Sequence, residues 1–447
     1  MTLAAYANAF QGAYQFDDYR VIVDNPAVAS VAAWWRDLPG IRPLLKLSYA
    51  VTGRLAPETR LFALHATNVA LHAINAILML TVLRQLGAGR RVADAAFIAA
   101  LLFAAHPVHS EAVTYLSGRS LSLMALFYLL SIQAHLAGRT GLSLAAFLGA
   151  MMVRETAITL PLALLLIDRQ REPQADWRSL LLRGRWHWLL AGVGLLALLA
   201  LPYFRHLLEV SFQTRPFMDN LITQAGGILY LAGQLLRPTG LNADPVLPVF
   251  SDWSWRWAIQ VILFAGGLLW ALWRWLRPDP ESRQGTGLWL AFGLIWFLLH
   301  LAPTNSLVPR LDVANERHLY LAAAGLYLTL GYAIAGTRRG LALGAGLALV
   351  LVLATHARNQ VYTTEVAYWQ DVLRHQPANV RALNNLGYAY ARDNVPEAAL
   401  VCYDRGLSLA PGDFNLYFNR RALCRTHASR LAGLCGETAF EREPERP

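Results

Sequence analysis

Two adjacent carboxylates, Asp17 and Asp18, stand near the start of a chain that is otherwise poor in charged residues. Charged groups are costly close to a bilayer and usually mark a functional site when they occur there. One carboxylate of such a pair can accept the proton of a hydroxyl group while the other orients that hydroxyl. A solvated loop or a helix cap is the structural alternative. Because the pair leads into a long amphipathic loop, we predict that it supplies the general base for an acceptor hydroxyl.

A second polar group, formed by His106, His109, Glu111 and Arg119, follows an apolar run. Two histidines and a glutamate suggest a metal site, but Pro107 and the lack of a further ligand argue against a dedicated one. A divalent metal is compatible with these residues but not indicated by them, so we predict no cofactor. Helix capping and hydrogen bonds between helices are the alternatives. We favour a polar lining for a substrate cavity.

Two charged pairs interrupt apolar sequence further along the chain. Arg154 and Glu155 separate two apolar pieces that are each too short to cross a bilayer, which predicts a hairpin bent at this pair. Glu316 and Arg317 stand at the head of another apolar run, after a loop rich in hydrogen-bond donors. Arginine suits two-point phosphate recognition, so both arginines are candidate phosphate ligands. A structural ion pair for the first, and a solvated rim for the second, are the alternatives.

The composition predicts that membrane helices position these residues. The 447-residue chain is 55% hydrophobic and 15% charged, with a mean hydropathy of +0.34, whereas a soluble domain carries about 25% charged residues. Long apolar runs separated by arginine clusters predict an all-α fold, a polytopic transmembrane helical bundle. The net charge of +10 comes from arginines in short loops, so we predict a lipid bilayer as partner and no nucleic acid.

The predicted membrane domain covers residues 1–357, and residues 1–9 resemble the last turns of a helix whose beginning is missing. We predict the helical runs at 64–85, 92–106, 120–137, 142–153, 157–167, 187–204, 256–276, 287–302, 318–335 and 340–356. Segment 223–236 is predicted to be a short helix in or on the membrane surface.

The arginine-rich loops set the predicted orientation. Positive charge favours the cytoplasmic side, so the loops that contain Arg178 and Arg283 are predicted to be cytoplasmic. The first loop, the region between His106 and Arg119, the loops at 206–255 and 303–317, and the C-terminal tail are then external.

The C-terminal tail has a 34-residue period, in which Trp369, Leu373 and Pro377 recur as Tyr403, Leu407 and Pro411. This period, with small and large residues alternating at helix contacts, predicts tetratricopeptide (TPR) α-hairpins over residues 358–425. Residues 426–447 show no period and are predicted to be a disordered or aberrant tail. The three cysteines are predicted to form neither a disulfide framework nor a zinc site, because their number is odd and their spacing is loose.

Four segments occur in an order that resembles a known family: ANAFQGAYQFDDYRVIVDNPAV, AALLFAAHPVHSEAVTYLSGR, VRETAITLPLALLLID and LAPTNSLVPRLDVANERHLYLAAAGL, followed by the TPR pattern. Over residues 5–412 the chain resembles a bacterial relative of the transmembrane-and-TPR-repeat (TMTC-type) proteins. These proteins belong to the C-fold glycosyltransferases, together with protein O-mannosyltransferases. The resemblance implies a polyprenyl-phosphate sugar donor and an acceptor on the external face.

The resemblance also assigns residues, motif by motif. Asp17 and Asp18 match the acidic pair of the family's first external loop. The later motifs match at Glu111 and Arg119, at Arg154 and Glu155, and at Glu316 and Arg317. The family more often has lysine where this chain has Arg154, which keeps the charge. It often has an acidic residue where this chain has Leu121.

The sequence thus predicts an inverting glycosyltransferase of a bacterial cytoplasmic membrane, with inversion implied by the resemblance. It would move a mannose-like hexose from a polyprenyl phosphate to a serine or threonine of an exported protein. Asp17 or Asp18 would act as base, and Arg154 and Arg317 would stabilise the leaving phosphate. The TPR tail, on the external side, would recruit the acceptor protein. The alternatives are a membrane scaffold without catalysis and a flippase for lipid-linked sugars.

Overall fold

The computed structural model describes residues 1–37, 40–277 and 285–435. These residues form helices and turns without a β-strand, so the predicted all-α class is confirmed. Arg283 and residues 436–447 lie outside the described residues. The helices that precede the C-terminal region are α1 (Thr2–Ala5), α2 (Val31–Arg36), α3 (Pro43–Leu55), α4 (Arg60–Arg84), α5 (Arg90–Ala105), α6 (Ser110–Val113), α7 (Arg119–Leu136), α8 (Thr140–Val153), α9 (Leu160–Arg171), α10 (Trp177–Arg183), α11 (Arg185–Ala200), α12 (Pro202–Thr214), α13 (Phe217–Gln234), α14 (Trp255–Leu276), α15 (Thr286–Leu301), α16 (Leu319–Ala335) and α17 (Gly340–Asn359).

Helices α5, α15 and α16 pack closely in the middle of the bundle because glycines lie at their contacts. Small residues allow the backbones of membrane helices to approach each other. A Cβ atom on Gly325 would lie 2.6 Å from the carbonyl oxygen of Gly293, and one on Gly331 would lie 2.5 Å from that of Ala95. A larger side chain at either glycine would push α16 away from its neighbours. The close packing fixes the helix ends from which the predicted site residues project.

Fewer helices are long enough to cross a membrane than the ten predicted apolar runs suggest. Four described helices have the required length and composition: Arg60–Arg84, Trp255–Leu276, Glu316–Ala335 and Gly340–Tyr362. The number rises to six if each of two bent helix pairs counts as one span. Helices α8 and α15 are apolar but shorter. Hydropathy identifies apolar runs without showing where a helix breaks, which accounts for the difference.

Two breaks in the helices shape the region around the site. Helices α8 and α9 are separated at the predicted charged pair, by the extended residue Arg154 and a 3-10 turn at Glu155–Thr159. They do not pack along each other as a hairpin would, because α8 packs on α7 and α9 packs on α15. Helices α11 and α12 meet at an angle of 82°. Pro202 begins α12, because its fixed φ suits the first turn of a helix and cannot continue the preceding one. The predicted loop at 206–255 therefore contains the end of α12 and all of α13.

Helix α13 includes the segment 223–236 that the sequence places in or on the membrane surface. Among the described residues α13 does not meet the length and composition of a span. Its residues Ile228 and Leu231 pack in one cluster with Leu301 of α15 and Leu319 of α16. One face of α13 is thus covered by the bundle.

Four further helices form what we call the C-terminal segment: α18 (Glu365–His375), α19 (Val380–Arg392), α20 (Pro396–Leu409) and α21 (Phe414–Thr426). They lie where the 34-residue period predicts helices. A Cβ atom on Gly387 would lie 2.5 Å from Tyr403, and one on Gly406 would lie 2.7 Å from Leu416. Small residues therefore stand at helix contacts, as the period requires. The assignment of the segment to the TPR class stays a prediction.

The cysteines correct one prediction, because Cys424 and Cys435 form a disulfide bond while Cys402 is buried and free. The chain turns back after the end of α21, which brings together two cysteines 11 positions apart. Leu431 packs in the same cluster as Cys424. Within the described residues this buried contact holds the turn after α21. The disordered or aberrant character of the tail at 426–447 stays a prediction.

Candidate functional site

Three predicted site residues from distant parts of the chain lie together at one end of the bundle. The backbone amide of Arg317, in the turn before α16, donates to Oε2 of Glu111 on α6 (2.8 Å). Nε of the Arg317 guanidinium lies 3.6 Å from Oε1 of Glu111, and Nη1 lies 3.9 Å from Oδ2 of Asp17. We call Asp17, Glu111 and Arg317 the site triad. Its members are up to 300 positions apart in the sequence.

The adjacent carboxylates Asp17 and Asp18 have opposite surroundings. Asp18 is fully buried, and its two oxygens accept hydrogen bonds from the backbone amides of Gln15 (2.9 Å) and Ser117 (2.8 Å). Burial raises the pKa of Asp18 to about 7, although these hydrogen bonds act in the opposite direction. The Asp17 side chain is 41% exposed. Asp17 is therefore the carboxylate of the pair that a hydroxyl group can approach, whereas Asp18 fixes the backbone.

Three guanidinium groups, those of Arg42, Arg154 and Arg310, lie beside the triad and interact electrostatically with one another, and those of Arg154 and Arg310 also interact with that of Arg317. We call these four arginines the arginine group. Arg42 forms a two-point ion pair with Glu155, with N–O distances of 2.6 and 3.0 Å. Arg154 donates to Oγ of Ser120 (2.8 Å). Within the described part of the chain, neither Arg154 nor Arg310 has a carboxylate within ion-pair distance. Glu155 interacts electrostatically with both groups, and Asp312 with Arg310, from beyond that distance. Guanidinium groups without a direct ion pair favour an anion, and arginine binds phosphate through parallel hydrogen bonds.

A cavity of about 320 Å³ adjoins this arginine group. Arg20, Arg42 and Lys46 contribute basic groups to its lining, and Leu201 and Phe204 are among its apolar residues. The apolar part comes from α11 and α12, which are largely exposed at the bundle surface. Glu155, the ion-pair partner of Arg42, also lines the cavity, and Lys46 pairs with Asp37. The cavity therefore joins a charged end, with three basic groups and one carboxylate, to an apolar wall, which suits a ligand with an anionic head and a hydrocarbon tail.

A second cavity of about 20 Å³ lies on the protein side of Arg154. Four of its lining residues have a buried polar side-chain atom without a hydrogen-bond partner: Arg154, Thr156, His300 and His318. A polar cavity of this size holds about one water molecule. These four polar atoms are free to bind the hydroxyl groups of a ligand that enters the cavity from the side of the arginine group.

The two predicted histidines lie within the helix bundle. Nδ1 of His106 accepts a hydrogen bond from the Val108 amide, which is the capping role given above as an alternative. His109 is buried against the rings of Phe103 and Tyr320. The structure does not bring either histidine to the site triad, because both rings pack into the helix core. A direct contact with substrate stays a prediction for both.

Arg119, at the start of α7, is also completely buried. Its guanidinium donates to Oδ1 of Asn68 (2.7 Å), to the Leu64 carbonyl (2.9 Å) and to the Thr52 hydroxyl (3.2 Å). It also lies over the ring of Tyr49, at 4.5 Å. These uncharged partners join α3, α4 and α7. The predicted contact between Arg119 and a phosphate would require several of these hydrogen bonds to break.

Glu316 is next to Arg317 in the sequence, but its side chain contacts residues outside the site triad. Its Oε1 accepts a hydrogen bond from the Asn242 amide (2.5 Å), and its Oε2 lies 3.5 Å from Nη2 of Arg358. Arg358 in turn donates to Asp371 of α18 (2.7 Å). These contacts join α16, α17 and the C-terminal segment. The geometry gives Glu316 a structural part beside the triad.

Sequence reasoning did not assign Arg42 and Tyr115 to the site, and it pointed to Arg310 only as one of the donors in the loop before Arg317. Arg310 stands in the donor-rich loop before Arg317, so the composition of that loop is a signal for it. Arg42 lies in the amphipathic first loop and is recognisable only from its ion pair with Glu155. The Tyr115 hydroxyl accepts a hydrogen bond from the Asp17 amide (3.0 Å), which no spacing in the sequence indicates.

Among the residues that the structure describes, no group of three or more His, Cys, Asp or Glu side chains is arranged to hold a metal ion. The site triad has two carboxylates with Arg317 between them. Arg317 places a positive charge next to both acidic groups.

Several known proteins are similar to this chain over most of its length. The chain is 23% identical to the protein O-mannosyl-transferase F38B6.6 of Caenorhabditis elegans, over 92% of the chain and 62% of that protein. It is 28% identical to the protein O-mannosyl-transferase TMTC4 of Mus musculus, over 90% of the chain and 64% of that protein. A shorter match to mouse TMTC1 has 34% identity over 34% of the chain.

These comparisons confirm the resemblance to TMTC-type proteins. The homologues of the chain are TMTC-type protein O-mannosyl-transferases, at 23–28% identity over about nine tenths of its length. The chain spans less than two thirds of the length of F38B6.6 and mouse TMTC4. No protein-family model and no solved structure matches the chain.

Proposed function

We propose that this chain is a membrane glycosyltransferase that moves a mannose-like hexose from a polyprenyl phosphate to a serine or threonine hydroxyl of an exported protein. The meeting of Asp17, Glu111 and Arg317 beside Arg154 and Arg310, which have no direct ion pair among the described residues, carries the proposal. The names of the homologues, protein O-mannosyl-transferases, support the same class of reaction.

In the proposed reaction Asp17 accepts the proton of the acceptor hydroxyl while the hydroxyl oxygen attacks the anomeric carbon of the sugar. The bond between that carbon and the phosphate oxygen breaks, and its electron pair passes to the phosphate. Inversion at the anomeric carbon is what the resemblance to the C-fold enzymes implies. The exposure of Asp17 and the burial of Asp18 favour Asp17 as the base.

The lipid phosphate gains a second negative charge as the sugar leaves. Arg317, Arg154 and Arg310 are placed to stabilise that charge, because preorganised donors need no rearrangement when charge develops. Among the described residues, no carboxylate lies within ion-pair distance of Arg154 or Arg310, so both are available to the anion. Glu111 holds the backbone and guanidinium of Arg317 and so fixes the third donor.

The polyprenyl chain of the donor would lie in the cavity of about 320 Å³. Arg42 is the residue that joins this cavity to the arginine group, and its apolar wall comes from α11 and α12. A lipid in this position presents its phosphate to the arginines and its hydrocarbon to Leu201 and Phe204. The charge and the polarity of the cavity support a lipid-linked donor over a soluble nucleotide sugar.

We place the reaction on the external face of a bacterial cytoplasmic membrane, with the C-terminal segment on the same side. The positive-inside rule supports this orientation. The C-terminal segment contacts the first loop beside the triad, so an acceptor protein bound to its repeats would be close to Asp17.

The direct test is transfer from a labelled polyprenyl-phosphate mannose to a serine- and threonine-containing peptide, with the chain reconstituted in vesicles. Donor binding is measured in parallel. We expect transfer that depends on the lipid-linked donor and does not occur with a nucleotide sugar. Absence of transfer by folded protein that still binds a partner through the C-terminal segment would favour the scaffold. Movement of the lipid-linked sugar across the vesicle membrane without transfer would favour the flippase.

A further inference from the structure

The turn that carries Asp17 has an unusual backbone. Phe16 has a φ of +26°, in the left-handed region that residues with a side chain rarely adopt. Strain of this kind persists only where the surrounding structure fixes the backbone. Because Phe16 directly precedes Asp17, the groups that hold Phe16 also set the direction of the Asp17 carboxylate.

The backbone amide of Phe16 is held by a side chain from the other end of the molecule. It donates to Oε1 of Glu365, the first residue of α18, at 3.3 Å and 349 positions away. The neighbouring amides are held within the membrane domain: that of Gln15 by Asp18 (2.9 Å) and that of Asp17 by Tyr115 (3.0 Å). Of these three amide contacts, the one to Glu365 is made by the C-terminal segment.

Glu365 is fixed in turn by its own neighbours. It is buried, and its Oε2 lies 2.8 Å from Nη1 of Arg392 on α19. Arg392 also donates to the hydroxyl of Tyr19 and lies over its ring at 5.0 Å. The ring of Phe16 meets Trp369 of α18 edge to face, with centroids 5.5 Å apart. Helix α18 therefore contacts the turn at Phe16, and helix α19 contacts it at Tyr19.

We infer that Glu365 is a positioning residue for glycosyl transfer, and that the C-terminal segment forms part of the active site. This goes beyond recruitment of an acceptor and rests on the proposed function of Asp17. Without Glu365 the Phe16 amide loses its acceptor, and the left-handed turn loses one of the groups that hold it. The Asp17 carboxylate then moves relative to Arg317. A displacement of about 1 Å at a reacting group can cost roughly 10²-fold in rate.

Two substitutions at Glu365 separate its hydrogen bond from its charge. Glu365→Gln keeps a carbonyl oxygen for the Phe16 amide but loses the ion pair with Arg392. Glu365→Ala loses both contacts. We expect Glu365→Ala to lower kcat about 10- to 100-fold with little change in donor Kd, and Glu365→Gln to recover most of the lost kcat.

A matched control is Glu397→Ala, which removes an exposed ion pair with Arg430 (3.0 Å) in the same C-terminal segment. This variant should keep the kcat of the unmodified chain. Thermal unfolding of all three variants shows whether each is folded. If Glu365→Ala does not fold, the comparison of Glu365→Gln with Glu397→Ala still decides whether the hydrogen bond alone maintains kcat.

A second measurement does not depend on activity. Hydrogen–deuterium exchange of the peptide around residues 10–24 should be faster in Glu365→Ala than in the unmodified chain or in Glu397→Ala, because the Phe16 amide is released. Unchanged exchange in Glu365→Ala would overturn the inference. So would faster exchange with an unchanged kcat.

The two proposals fail in different ways. If Asp17→Asn keeps full activity while Glu365→Ala still releases the turn, the role of Asp17 is wrong and the contact from the C-terminal segment stands. If Asp17→Asn is inactive and Glu365→Ala has normal kcat and exchange, the role of Asp17 stands and Glu365 is not a positioning residue.

Discussion

A general base must reach the acceptor, and of the adjacent pair Asp17 is the carboxylate that is open to it. A general base contributes about 10²–10⁴-fold to rate, so we expect Asp17→Asn to lower turnover by that amount. Donor binding should persist, because Asp17 faces the acceptor and not the lipid phosphate. Transfer from a labelled lipid donor and equilibrium donor binding, measured on the same vesicles, check both parts.

Full activity of Asp17→Asn, alone or combined with Asp18→Asn, would contradict the proposed mechanism.

Asp18→Asn alone tests a different property, the support that Asp18 gives to the backbone of the turn. An asparagine accepts one of the two backbone hydrogen bonds but turns its amino group towards the other amide. Its effect should therefore be a lower unfolding temperature accompanied by loss of activity, whereas Asp17→Asn should keep its unfolding temperature.

The raised pKa of Asp18 predicts that the stability of the folded chain depends on pH. Burial raises its pKa from the ordinary value of 3.8 to about 7 in the folded chain. Between these values the folded state binds more protons than the unfolded state, so this residue's contribution to stability falls as pH rises from about 4 to 7. The unfolding temperature of Asp18→Asn should change less over this range than that of the unmodified chain. Equal slopes for the two proteins would show that Asp18 does not titrate in this way.

Arg317 should behave differently from Asp17, because it faces the donor phosphate in the proposed site. Arg317→Ala should weaken donor binding and slow transfer by roughly 10²–10³-fold, the usual cost of removing a donor to a developing oxyanion. Arg317→Lys should recover only part of this loss, since lysine is a point charge without the two-point geometry of arginine. Donor Kd and single-turnover rates separate the two effects. Normal donor binding in Arg317→Ala would show that Arg317 does not contact the donor phosphate.

The sequence predicts some site residues well and others poorly for physical reasons. Charged residues in otherwise apolar sequence are rare, so Asp17, Glu111 and Arg317 stand out, and the structure brings them together. Arg42 does not stand out, because arginines are common in the loops of this chain. Its part is visible only when α3 lies against α8 and Arg42 meets Glu155.

The positions of helices can be predicted from sequence periodicity more reliably than the angles at which consecutive helices meet. The 34-residue period places α18 to α21, and the charged pair at Arg154 places the break between α8 and α9. The sequence does not predict the 82° bend between α11 and α12, because the predicted apolar run at 187–204 passes through the bend and contains no Asp, Glu, Lys or Arg. A proline begins α12, but proline also occurs in helices that continue, so the residue alone does not fix the angle.

The end of α21 gives a prediction about the compartment of the C-terminal segment. Disulfides persist in oxidising compartments, so Cys424 and Cys435 should be paired if the segment is external. Alkylation of the denatured chain without reductant should modify Cys402 alone, and alkylation after reduction should modify all three cysteines. Mass spectrometry of protein isolated with free thiols blocked at lysis measures both. Three free thiols in the unreduced chain would contradict the pairing and weaken the external assignment.

At the scale of the whole molecule, the C-terminal segment is attached to the bundle by charge as well as by apolar contact. Arg381 of α19 pairs with Asp244 and with Asp312 (2.8 Å for the latter), which lie in two separate loops of the membrane domain. The side chain of Gln376 exchanges hydrogen bonds of 2.7 and 2.9 Å with the backbone of Val246. Such contacts require the loops and the segment to lie on one side of the membrane.

Because these segments contact one another, their predicted positions relative to the membrane depend on each other. The first loop contacts the C-terminal segment through Phe16 and Glu365, and the loop at 303–317 contacts it through Asp312. If one of these segments is external, all of them are. The arginine-rich loop around Arg178 belongs to the opposite side by the positive-inside rule.

Single cysteines at exposed positions test the whole arrangement in a chain whose three native cysteines are replaced by serine. A membrane-impermeant thiol reagent added to intact cells should label Asp24→Cys, Leu311→Cys and Pro377→Cys, because these positions share the external side. Arg178→Cys should be labelled only after the membrane is opened, and this serves as the internal control. Protection of Pro377→Cys together with labelling of Asp24→Cys would separate the C-terminal segment from the first loop, and both the proposed acceptor recruitment and the contact between Glu365 and Phe16 would then be excluded in the cell.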